Sequence, residues 1–120
     1  TKENPAMTEL SPAAQAAEAC LAACRACADA CNRCAAACLK EEDVQMMARC
    51  IALDMDCAET CALMAALIAR GSSHAQAACV FCAEVCEACA EECGRHEAEH
   101  CQDCAEACRA CAADCRLMAG

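Results

Sequence analysis

Residues 20–39 read CLAACRACADACNRCAAACL, with cysteine at 20, 24, 27, 31, 34 and 38. The steps between them alternate four and three, the recurrence of one face of an α-helix. Such steps average 3.5 residues, the repeat of a seam in a helical bundle. The intervening Ala, Arg and Leu suit a helix, and Asp is only mildly penalised. The alternation recurs in Cys79, Cys82, Cys86, Cys89 and Cys93, and in Cys101, Cys104, Cys108, Cys111 and Cys115. A sparser set, Cys50, Cys57 and Cys61, keeps the register through Met47, Asp54 and Met64, so an aspartate stands where the seam expects a cysteine.

The punctuation between these sets divides the chain into four helices. Ser11-Pro12 supplies an N-cap and a first-turn proline for a helix over 12–40, whose Ala-rich part before Cys20 either continues it or forms a separate short helix. Glu41-Glu42-Asp43 suits the positive N-terminal end of a second helix, 42–70, which stops at Gly71. Ser73-His74-Ala75-Gln76 reads as a capping box for a third, 74–93. Gly94 ends or bends it, and a fourth covers 97–118. Short connections make neighbours antiparallel, so the expected fold is all-α: an up-down-up-down four-helix bundle with a cysteine-lined core. Residues 1–11 are expected to be a flexible segment and 12–120 a single bundle.

Composition explains why cysteine lines that core. The chain has 120 residues and is 60% hydrophobic by count, yet 34 residues are Ala and 19 are Cys. Only 19 are Val, Ile, Leu, Met or Phe, and Phe81 is the sole aromatic. Close-packed cores need large side chains, so cysteine must fill the space. The net charge of −10 argues against nucleic acid or an anionic membrane as partner. No apolar run reaches the length of a membrane span.

A disulfide scaffold fits poorly. Such scaffolds are loop-rich, whereas this chain has 3 Gly and 2 Pro, and its cysteine count is odd. Helical neighbours three or four apart have Cβ atoms about 5–6 Å apart, beyond the roughly 3.5–4.5 Å of a disulfide. Metal bridging fits better, because each C-x3-C or C-x2-C pair shares a cysteine with the next and the seam becomes a ladder of sites. Zinc wants four ligands and would leave each site at −2 in a dry core. Monovalent copper prefers thiolate, accepts two or three ligands, and at one ion per thiolate leaves the core neutral. The ferredoxin-type run C-x2-C-x2-C-x3-C-P is absent. Thiol oxidoreductases use one exposed C-x2-C pair rather than buried seams, and no catalytic triad, phosphate loop or paired catalytic carboxylate stands out. The residues thus point to a multi-ion Cu(I) store without catalysis, holding about one copper per cysteine, with a zinc-binding or thiol-redox bundle as the alternative.

CLAACRACADACNRCAAACL at 20–39, CIALDMDCAETC at 50–61 and CAEVCEACAEECGRHEAEHCQDCAEACRACAADC at 82–115 resemble the bacterial copper storage proteins. That resemblance implies a cysteine-lined four-helix bundle filled with Cu(I). The HxxxHC ending at Cys101, with nothing at the N-terminus that reads as a secretory signal, is similar to the cytosolic branch. It implies a cytoplasmic bacterial protein, a homotetramer, and exchange of copper with a donor or acceptor protein. The connection from Gly94 to Glu99 is shorter than the family's.

One end of an antiparallel bundle would collect Cys38, Met47, Cys50, Cys93, His96, His100 and Cys101, a natural mouth for copper. His96 and His100 are expected there as entrance ligands, against the alternative of solvated turn histidines. Met47 and Asp54 are further candidates. Asp54 is an oxygen ligand, an acceptor for nearby thiols, or a half-exposed acid at a gap. At the opposite end Met64 and Met118 read as a hydrophobic plug. The aliphatic residues with Phe81, among them Ile51, Leu53, Leu63, Leu67, Val80 and Val85, either brace the helix flanks or form a subunit contact.

Overall fold

The computed structural model describes residues 10–120; most of the expected flexible segment 1–11 lies outside the described residues. Four helices follow one another: α1 (Pro12–Cys38), α2 (Ala48–Ala69), α3 (Ala75–Gly94) and α4 (Glu99–Ala119). A 3-10 turn, Val44–Met47, leads into α2. Among the described residues there is no strand. Each helix packs on its neighbours in sequence, and α4 returns to close on α1, so the ring is an up-down-up-down four-helix bundle.

Local chemistry sets the ends. Ser11 Oγ accepts a hydrogen bond from the Ala14 N–H, and Pro12 opens α1, which needs no donor there. The Ala-rich start is not a separate helix: α1 is continuous for 27 residues, about 40 Å. It stops two residues earlier than expected, where Lys40 and Glu41 turn back onto the carbonyls of Ala37 and Cys38. The acidic turn does not open an α-helix directly. Asp43 caps the 3-10 turn through the Met46 N–H, and α2 proper begins at Ala48.

Gly71 closes α2 in the left-handed conformation, φ +64°. The Ser72 N–H donates to the Leu67 carbonyl and the Gly71 N–H to the Ile68 carbonyl, the two bonds of a Schellman motif. The expected capping box at Ser73 does not form. Ser72 Oγ accepts from the His74 N–H instead, and Gln76 reaches across to the Met118 and Ala119 carbonyls at the end of α4. Gly94 ends α3, and α4 starts at Glu99 rather than 97. Gln102 ties down the connection by donating to the His96 and Gly94 carbonyls.

Every cysteine is fully buried. Between the seams, alanine fills the helix contacts: Ala83 on α3 and Ala105 on α4 are both sealed from solvent. Small side chains let the backbones close around the thiols, which gives a packed interior without aromatic bulk. Phe81, Leu63, Leu117 and Met46 remain largely exposed.

Candidate metal centre

The four seams meet along the bundle axis, and all nineteen cysteines are free thiols. Helical spacing sets the distances along each seam: Sγ–Sγ is 4.0 Å for Cys20–Cys24 and Cys27–Cys31, and 3.8 Å for Cys34–Cys38 and Cys89–Cys93. Cross-helix distances run from 3.3 Å for Cys50–Cys93, through 3.6 Å for Cys20–Cys115, Cys27–Cys108 and Cys57–Cys86, to 3.9 Å for Cys38–Cys50 and Cys61–Cys82. A metal–sulfur length of about 2.3 Å needs sulfurs about 4.0 Å apart at a trigonal ion and about 4.6 Å at a linear one. The thiols therefore stand at bridging distance before any metal arrives.

Four-cysteine groups with all sulfurs within 4.8 Å overlap one another. Cys27 and Cys57 belong both to the group with Cys61 and Cys86 and to the group with Cys31 and Cys108. Cys31 and Cys108 also group with Cys89 and Cys104. Separate tetrahedral ions would compete for these shared ligands, whereas bridging thiolates use all of them. Burial pushes the thiols of Cys79 and Cys101 up, to about 12 and about 11, and the charge of neighbouring thiolates adds to it. Hydrogen bonds from Cys115 and Cys24 instead hold Cys20 down, at about 4, so the buried thiols share their protons unevenly, and each Cu(I) bound by a thiol would release one.

Asp54 is neither half-exposed nor at the entrance: its side chain is fully buried. Oδ1 accepts from Cys93 at 3.2 Å, Cys89 at 3.3 Å and Cys104 at 3.3 Å, and Oδ2 faces Cys50 at 3.8 Å. Burial raises its carboxyl to about 7.

The end of the bundle expected to be the mouth does gather these residues, and it is asymmetric. His100 turns Nδ1 toward Cys101 at 3.5 Å, Cys34 at 3.6 Å and Cys38 at 3.8 Å. Its Nε2 meets Glu41 Oε2 at 2.8 Å. His96 makes no hydrogen bond to a thiol; its Nε2 is held by Glu92 at 3.0 Å. Glu92 is itself buried and also binds Arg49 and Arg95. Met47 is buried beneath the mouth. Met64 is sealed at the far end and Met118 is partly covered there. Reading the sequence missed the carboxylates that hold the two histidines, Glu41 and Glu92. Glu92 precedes His96 by four residues on one helix, the spacing of facing side chains, and that was its available signal. Glu41 had none beyond its place in an acidic turn.

A family model described as "Copper storage protein" matches residues 13–120. The chain belongs to the copper storage protein family. The uncharacterized cysteine-rich protein YhjQ of Bacillus subtilis (strain 168) is a relative, 46% identical over 86 residues, which are 72% of this chain and 80% of that protein. Two solved copper storage proteins share the fold. The Cu(I)-bound copper storage protein BsCsp3 is 45% identical, with a TM-score of 0.84 over 88% of this chain and 99% of its own. A cytosolic copper storage protein from Streptomyces lividans, loaded with five coppers, is 44% identical, with a TM-score of 0.84 over 88% of this chain and 94% of its own. Among copper storage proteins, then, this chain is a close structural match along nearly its whole described length.

Proposed function

We propose that this protein is a high-capacity cytosolic store for Cu(I), holding about one ion per cysteine in a bridged thiolate lattice. The observation that carries the reading is the overlap of the four-cysteine groups, in which Cys27, Cys31, Cys57 and Cys108 each serve more than one set of neighbours. Bridging at one ion per thiolate keeps the core neutral, so a filled store keeps the net charge of −10. All nineteen cysteines act as ligands in this reading. His100 joins them at the mouth through Nδ1, Met47 closes the layer beneath it, and Asp54 offers oxygen to the interior. His96 stands at the rim, tied to Glu92, and takes no part in holding the ion.

In this reading the protein is a container rather than a catalyst, and the copper itself is the cargo. A donor or acceptor protein delivers or removes it at the His100 end. The exposed Leu63, Val80 and Phe81 supply a contact between copies in a homotetramer.

Anaerobic Cu(I) titration against a chromophoric chelator tests the reading, since it gives stoichiometry and affinity together. Saturation near nineteen ions is the expected result. A plateau at two would exclude the lattice.

A further inference from the structure

On the flank of the bundle, beside the His100 end, α1 and α4 leave a hollow between them. A cavity of about 200 Å³ is walled by Ala30, Arg33, Cys34, His100 and Asp103. A wider recess of about 660 Å³ shares Arg33 and His100 with it and adds Lys40, Glu41 and Glu42. Ala30, Arg33, Cys34 and Ala37 follow one another by three or four residues, so one face of α1 lines both, and alanine leaves the space unfilled. Cys34 is sealed from water at the floor, with His100 Nδ1 at 3.6 Å from its sulfur. The hollow therefore ends on the thiol and the ring nitrogen that face the first copper.

The rim carries both signs of charge. Arg33 and Lys40 are exposed, and neither makes an ion pair among the described residues. The same holds for the exposed acids Glu42 and Asp103. The whole chain carries −10, so an anionic solute is repelled over most of its surface, and two cations beside a cysteine mark a place of approach. A simple inorganic anion would meet Glu41, Glu42 and Asp103 as well. A small molecule with both carboxylate and ammonium groups can satisfy both signs. A thiol on that molecule brings a soft donor to a soft ion.

Resting on the storage reading above, we propose that this hollow binds a low-molecular-mass thiol of the cysteine-peptide class and that copper is exchanged with the store there. Its carboxylates pair with Arg33 and Lys40, its ammonium with Asp103 or Glu42, and its sulfur points to the ion between Cys34 and His100. The step is a ligand exchange, and no electron moves. The incoming thiol gives up its proton as its sulfur bonds Cu(I). The bond from the ion to the Cys34 sulfur breaks, and that sulfur takes up a proton. Loading is the same step in reverse. The store thus trades ions with small thiols in solution through its flank.

Reduced glutathione is the probe. Copper-loaded protein is mixed without oxygen with excess bathocuproine disulfonate and graded glutathione, and the coloured chelate is followed in time. The glutathione-dependent rate should saturate. Arg33→Ala with Lys40→Ala should raise the half-saturating concentration by about threefold or more, the worth of two exposed ion pairs. 2-Mercaptoethanol, a thiol without charged groups, should neither saturate nor respond to that double variant. S-methylglutathione has the charges without the thiol, so it should slow glutathione-dependent removal and extract no copper itself. Ala30→Leu fills the smaller cavity and keeps every charge, so it should abolish saturation by a route independent of the rim. A rate linear in glutathione for the wild type, an unchanged half-saturation in both well-folded variants, or no competition by S-methylglutathione overturns the site. Copper titration of the same samples separates this from the larger claim: near-full stoichiometry without saturation removes the flank site alone, while a plateau at a few ions removes the store as well.

Discussion

Glu41 Oε2 holds the Nε2 of His100 at 2.8 Å, and the opposite nitrogen of the same ring faces Cys34, Cys38 and Cys101 at 3.5–3.8 Å. A carboxylate on one ring nitrogen fixes the proton there and leaves the other lone pair free for a metal. Replacing His100 by Ala should weaken binding of the copper nearest the mouth by about 10–100-fold, the usual cost of losing such a ligand or its support. Total capacity should fall by no more than about one ion. Competition against a chelator of graded concentration measures both. An unchanged affinity for every ion would show that His100 is only a surface residue.

His96 should behave differently. Its Nε2 is engaged by Glu92, which is also bound to Arg49 on α2 and Arg95 beyond α3. His96→Ala should leave copper stoichiometry and affinity within about twofold of the wild type. Glu92→Ala should lower the melting temperature of the copper-free protein, because it releases a buried carboxylate network. It removes one acceptor from three donors, at a cost of about 1–3 kcal/mol. Thermal unfolding followed by circular dichroism compares the two variants.

The carboxyl of Asp54 makes copper-free stability depend on pH, and the sign follows from the direction of its shift. Burial raises it to about 7 from an ordinary value of 3.8, so between those values the folded chain holds a proton that the unfolded chain releases. Stability is then fullest in acid and falls as pH rises from about 4 through about 7, by on the order of 4 kcal/mol once the carboxyl is ionised. Asp54→Asn should flatten that slope. Urea unfolding at a series of pH values under reducing conditions measures it, and parallel slopes in both proteins would falsify the assignment.

Capacity should track sulfur rather than shape. Replacing Cys27, Cys31, Cys86 and Cys89 by Ala removes four ligands from the middle of the lattice. Saturation should drop by about four ions, while the helical circular dichroism of the copper-free chain is retained. A random-coil spectrum for the unsubstituted copper-free chain would contradict a bundle formed before the metal.

Gly71 is a position where backbone alone decides. Its φ of +64° closes the Schellman motif, and a Cβ there would meet no other atom within 4 Å. Gly71→Ala should therefore cost only the left-handed strain, about 1 kcal/mol, with no change in copper binding. A chemical denaturation midpoint reads this directly.

The alternation of three and four in the cysteine steps was enough to place all nineteen thiols on interior faces, because helix periodicity is a property of the local chain. Ser11-Pro12 and Gly71 likewise acted through their own backbone. The capping box at Ser73 failed for a tertiary reason: Gln76, needed to complete it, is drawn to the end of α4. Asp54 could be placed in the seam but not assigned, since its three thiol donors come from α3 and α4, two of them 35 and 39 residues away and one 50. The mouth was legible as a collection of residues, yet its asymmetry was not. Which histidine faces the sulfurs depends on Glu41 and Glu92, whose reach across the end of the bundle leaves no mark in the spacing.

The complete burial of the thiols has a consequence for what the copper does not do. Cu(I) in water passes electrons to dioxygen and peroxide, and free thiols near it are oxidised in turn. Here the sulfurs sit behind a wall of alanine and helix backbone, with Ala83 and Ala105 sealed inside it, and an ion held between them would share that cover. The bundle is an electrical insulator as much as a vessel, and the same alanines that admit close helix packing keep the stored charge out of circuit.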